Sequence, residues 1–152
     1  MKRGRHIGGF TLIELVACIV ILAVLAAIAG PRFFDNQPFS ERGYAAELVA
    51  ALRAARQVAA ASACDVQVTI NPVTGYQAML RSTNGPPCTG AFSVPVRLTD
   101  GRVLAGAPPA NVVVAGLTVV FGADGQVNGA VPPPLTVGSF TVTVSPSGLV
   151  FK

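Results

Sequence analysis

A single carboxylate, Glu14, stands inside an otherwise uncharged apolar run from Phe10 to Gly30, and this limits the chain more than any other feature. A helix of that length rises about 30 Å, close to the hydrocarbon thickness of a bilayer. The run is apolar on every side, so a core helix of a water-soluble domain does not account for it. An ionised Glu14 in hydrocarbon costs roughly 2.5–3.5 kcal/mol or more, and therefore needs a counter-charge. Upstream lies a basic leader with Lys2, Arg3 and Arg5, no acid, and the small pair Gly8-Gly9. A basic flank stays cytoplasmic and sends the chain beyond the apolar run outward. A secretory signal places its small-residue cleavage site after the apolar core; here the order is reversed, so a cut after Gly9 leaves the helix on the mature chain. Phe10 would then carry a free amine, with an ordinary pKa of about 7.7–8, one helical turn from Glu14. A plain signal anchor gives no reason for either Glu14 or the glycine pair.

The segment Gly9-Phe10-Thr11-Leu12-Ile13-Glu14-Leu15 resembles the type III signal of type IV pilins and type II secretion pseudopilins. The resemblance implies a prepilin peptidase that cuts between Gly9 and Phe10 and methylates the new amine. It implies that Glu14 pairs with the amino terminus of a neighbouring subunit during assembly. It also implies an inner-membrane, single-pass subunit, its head in the periplasm, that later joins a pilus or pseudopilus filament. Physical chemistry agrees with the implied roles. Glycine before the scissile bond presents bare backbone to a protease, and a cationic amine neutralises a carboxylate in low dielectric. Pairing within one subunit is equally open, because amine and carboxylate are one turn apart.

The chain of 152 residues leaves room for one modest domain beyond the apolar helix. Its net charge of +4 is largely leader; loss of Lys2, Arg3 and Arg5 brings it to about +1. A nucleic-acid argument from total charge is thereby weakened. Of three cysteines, Cys18 sits in the apolar run and packs as a small apolar residue. Cys64 and Cys88 fall in the exported part, where disulfides persist. Closing that loop would stabilise by roughly 3–4 kcal/mol; two buried free thiols are the alternative, and metal ligation lacks another soft ligand nearby.

Gly30-Pro31 should bend or interrupt the first helix, and Asp35-Asn36-Gln37-Pro38 marks a second weak point. Ser40 can cap a new helix with Glu41 at its positive end. Tyr44, Leu48, Leu52, Ala55 and Ala59 then recur at helical spacing to about Ala63, with Arg42, Arg53, Arg56 and Gln57 off the stripe. From Cys64 the pattern turns to short strands: Val66, Val68 and Ile70 alternate, a turn at 71–75 leads into Tyr76 to Arg81, and Phe92 to Leu98 comes next. Val112 to Phe121 and Ser139 to Val144 read as the strongest strands, and Leu149 to Phe151 as the last. The expected organisation is a cleaved leader (1–9), a transmembrane and assembly helix (10–38), an amphipathic helix (39–63) and a β-rich periplasmic head (64–152). The fold class is α+β, a long N-terminal helix packed on an antiparallel sheet.

That order is similar to the GspH/FimT group of minor pilins and pseudopilins. The run Phe39-Ser40-Glu41-Arg42-Gly43-Tyr44, with Glu47-Leu48, Ala51-Leu52-Arg53 and Ala55 after it, resembles the MSHA-type minor pilin branch, as do Phe121-Gly122 with Gly125 and the final Ser147-Gly148-Leu149-Val150. The partners so implied are the prepilin peptidase, other pilin or pseudopilin subunits, and the inner membrane.

Catalysis has little to work with. The one histidine, His6, belongs to the leader, so no Ser-His-Asp or Cys-His site survives maturation. Asp35, Glu41, Glu47, Asp65, Asp100 and Asp124 form neither a calcium-loop spacing nor a catalytic pair. The glycines lack a phosphate-loop pattern. No enzyme, cofactor or metal is expected. DNA is the rival partner, since some FimT-like minor pilins take it up; Arg81, Arg97, Arg102 and Lys152 could gather into a patch, but no basic cluster with interleaved aromatics is visible.

Overall fold

A computed structural model describes residues 11–33, 37–82 and 88–152, with the backbone alone described at 27–33 and 37. Two compact units result, residues 1–36 and 37–152. Among its described residues the first forms one helix, α1 (Leu12–Phe33). The expected interruption at Gly30-Pro31 does not occur, because helical structure continues through Pro31 to Phe33. Proline there removes one backbone bond, and only two helical residues follow it. Asp35 and Asn36 lie outside the described residues.

The second unit opens with α2 (Gln37–Ser62). Its start precedes the expected Ser40 cap by three residues, because Pro38 fits a first helical turn whose N–H groups have no intrahelical acceptor. Alanine-rich composition favours the helix throughout. It ends where Ala63 enters the left-handed region, at φ 52°, and Ser62 Oγ donates to the Val58 carbonyl at 2.7 Å. Tyr44, Leu48, Leu52, Ala55 and Ala59 are all buried.

Among the described residues eight strands follow: β1 (Val66–Asn71), β2 (Gly75–Arg81), β3 (Phe92–Pro95), β4 (Ala105–Gly106), β5 (Leu117–Phe121), β6 (Leu135–Val137), β7 (Phe140–Val144) and β8 (Val150–Phe151). A five-stranded antiparallel sheet runs in the order β3-β2-β1-β5, with β4 also on β2. The remaining strands form a three-stranded sheet, β6-β7-β8. Register aligns three rows across the larger sheet: Leu80–Val66–Phe121, Ala78–Val68–Val119 and Tyr76–Ile70–Leu117. Almost all of these side chains are buried, and α2 packs on both sheets. Ala78, fully buried in the middle row, leaves little bulk in the centre of that layer.

The single strand expected from Val112 to Phe121 is divided between the sheets. Leu117–Phe121 pairs with β1, whereas Val114 bridges Val137, the Ala115 N–H donates to Thr136 and the Gly138 N–H to Val113. Gly116 is the corner, as glycine often is where a strand changes partner. The strand expected to Leu98 stops at Pro95, which has no N–H for a further ladder bond. Every apolar side chain buried among the described residues belongs to residues 37–152, so the head carries a complete core of its own.

Candidate assembly site

Gly9 and Phe10 lie outside the described residues, which begin at Thr11. Thr11 precedes the first helical residue and caps α1: the Glu14 N–H donates to Thr11 Oγ1 at 3.3 Å and to the Thr11 carbonyl at 3.1 Å. Thr-x-x-Glu is the capping-box spacing, in which a threonine hydroxyl takes the N–H of the third helical residue. Glu14 therefore occupies the first turn, where a carboxylate also interacts favourably with the positive end of the helix. Sequence reading singled out Glu14 but missed Thr11, although the spacing was there to be read.

The side chains of Thr11 and of α1 over 12–26, those that are described, are all exposed. Leu12 and Ile13 are 81% and 72% accessible, and Leu15, Ile19, Ile21, Leu22 and Leu25 stay exposed around the whole circumference. Water is an unfavourable surrounding for such a surface, and an apolar sleeve or a partner must cover it. Among the described residues, no helix is long and apolar enough to cross a membrane.

Cys64 and Cys88 are joined in a disulfide, with their Cα atoms 5.4 Å apart, and Cys18 is free and exposed. The bridge ties the end of α2 to the segment leading into β3. Beside it, Asp65 accepts from Arg81 Nε at 3.0 Å and from Asn128 Nδ2 at 3.2 Å.

The four cations considered for DNA each have a partner within the head. Arg81 pairs with Asp65 and stacks on Phe92 at 4.4 Å. Arg102 pairs with Asp100, whose carboxyl is held below its usual range by the Arg102 backbone N–H and then its guanidinium. Arg97 donates to the Gly101 carbonyl at 2.9 Å. Lys152 lies 4.1 Å over the Phe140 ring. No group of three or more metal-ligating side chains occurs among the described residues.

The chain thus combines a basic N-terminal stretch in its sequence, a capped apolar helix carrying one acid in its first turn, and an α+β head with a core of its own. Comparison with known proteins gives the family. Residues 4–30 match the prokaryotic N-terminal methylation motif. The chain is also 40% identical over 88 residues, 55% of its length and 70% of the relative's, to the type IV narrow pilus major component PilA5 of Thermus thermophilus. No solved structure matches. The chain belongs to the type IV pilins. It is a structural subunit and not an enzyme, and membership implies assembly with other pilin subunits and processing by a prepilin peptidase.

Proposed function

We propose that this pilin is a minor subunit of a type IV pilus or type II secretion pseudopilus. It is cut by prepilin peptidase between Gly9 and Phe10 and methylated on Phe10. It waits in the inner membrane with its head in the periplasm, and enters the filament through α1. The observation that carries this reading is the start of α1: Thr11 caps the helix, Glu14 sits in its first turn, and the rest of the described surface is exposed and apolar. A liberated Phe10 amine gives Glu14 its counter-charge in low dielectric, and subunits added head to tail through such contacts form a fibre because the contact does not close.

Processing is tested with Gly9→Ala, which should accumulate as an unprocessed precursor absent from filaments; normal maturation of that variant would remove the peptidase step. Glu14→Gln should be processed yet assemble poorly. The minor rank rests on the helix-then-sheet pattern shared with the GspH/FimT group. The similarity to a protein named as a major component favours a second reading, a shaft subunit. Quantitative mass spectrometry of sheared filaments separates the two. A minor subunit is a small fraction of the pilin present, whereas a shaft subunit dominates it.

A further inference from the structure

Helix α2, strand β2 and the hairpin around β4 enclose a half-open groove of about 430 Å³. On the helical side Ala50, Ala51 and Ala54 line it beside Glu47, and Leu98 and Leu104 line it from beyond β2. Glu47 supplies the one carboxylate among the lining residues. Two strands shape the place of that carboxylate. Tyr76, buried on β2, donates its hydroxyl to Glu47 Oε1 at 2.9 Å. On β4, Gly106 makes the room, since a methyl group there would come within 2.5 Å of Oε1 and 2.7 Å of the Tyr76 ring. Arg102 also lines the groove but is engaged by Asp100, and Glu47, solvent-exposed, forms no ion pair among the described residues.

A fixed negative charge in an apolar groove fits a cation on an alkyl stem. Lysine fits better than arginine. Tyr76 occupies Oε1, so Glu47 offers Oε2 to a point-charge donor, whereas a guanidinium binds best to both oxygens at once. The chain's own lysines are Lys2, in the leader, and Lys152, which lies on Phe140. We propose that the groove receives a lysine side chain from a different pilin species beside it in the filament, with Glu47 as counter-ion. This rests on the pilin reading for the source of the lysine, but not for the chemistry of the groove.

The isolated head, residues 37–152, is titrated with Nα-acetyl-lysine amide and followed by backbone NMR. Shifts should concentrate at Glu47, Ala50, Ala54 and Leu104. The Nε-acetylated analogue should produce none. Glu47→Gln, which keeps an acceptor for Tyr76, should bind more weakly by up to about fivefold, the upper range for a solvent-accessible ion pair. Ala50→Leu, filling the groove without changing charge, should abolish the shifts. Absent groove shifts, or equal titration of wild type and Glu47→Gln, would overturn the proposal. A photo-crosslinker at position 50 in assembled filaments should then label a lysine-bearing peptide of another pilin. A label on a peptide without lysine overturns the assignment of the partner. Absence of this chain from every filament overturns the pilin reading instead, and leaves the titration result intact.

Discussion

Two glycine-to-alanine substitutions should act in opposite directions, and the reason lies in one buried carboxylate. Glu41 is only 9% exposed on α2 and accepts two hydrogen bonds from Ser139, from its N–H and its hydroxyl, both at 3.0 Å. Ser139 comes after Gly138 in the two-residue turn between β6 and β7, and Gly138 has φ 55°, the glycine-first pattern of a tight hairpin turn. A Cβ on Gly138 would overlap the Glu41 carboxylate. Gly138→Ala therefore carries about 1–2 kcal/mol for an L-residue in the left-handed region. To this it adds the loss of hydrogen bonds to a charged group, roughly 1.5–3 kcal/mol each when intact. We expect a total of about 4–8 kcal/mol if both bonds are lost, a large part of a head's stability of roughly 5–15 kcal/mol. Gly43, by contrast, lies inside α2 with nothing within 4 Å of an added Cβ. Gly43→Ala should stabilise by about 0.5–1 kcal/mol through helix propensity. Urea unfolding of residues 37–152 measures both, with midpoints moving in opposite directions at constant slope. Repeating Gly138→Ala in a Glu41→Ala background isolates the overlap, so its cost should fall to about 1–2 kcal/mol. An equal cost in both backgrounds would refute the reasoning.

Reduction of Cys64–Cys88, which closes a separation of 24 residues, should lower head stability by about 3–4 kcal/mol. Mass analysis with thiol labelling before and after reduction should find that link and no free head thiol in exported protein. Stability should also fall at high pH. Tyr44 is pushed up to about 12 by burial and then by the Glu47 charge, and Tyr76 is raised by burial and its bond to Glu47. A phenol with a raised folded pKa contributes stability that is complete below about pH 10 and is lost as pH climbs toward the folded value. The urea midpoint should therefore decline above pH 10, and Tyr44→Phe should shallow that decline. The same variant should cost little at pH 7, since the buried Tyr44 hydroxyl has no hydrogen-bond partner among the described residues. An unchanged alkaline slope in Tyr44→Phe would count against that assignment.

The parts of this fold legible in the sequence are those written in local periodicity. The stripe Tyr44-Leu48-Leu52-Ala55-Ala59 and the alternation Val66-Val68-Ile70 each state which side is buried, and both sides are buried here. Contacts distant along the chain were illegible. Glu41 looked like a helix-end charge, yet its partner is Ser139, 98 residues away. Arg53 and Arg56, which lie off the apolar stripe, reach across to the Val150 and Gly125 carbonyls. They fasten the last strand and the turn at 122–125 to α2. Strands β4 and β6, of two and three residues, are too short to leave a period. The division at Gly116 could not be seen either, because Val112 to Phe121 has strand character throughout, and only pairing decides which sheet each half joins. The proposed assembly motif lies at the other extreme. Its chemistry sits within a few consecutive residues, so Glu14 stood out at once, and Thr11 needed only the capping spacing.

The role proposed for α1 depends most on where the mature chain begins. Intact-mass and N-terminal peptide measurement of the subunit recovered from sheared filaments should show a chain starting at Phe10 and carrying one methyl group on its amine. A filament subunit that still begins at Met1 would contradict it, because Glu14 would then face the membrane interior without the amine that neutralises it.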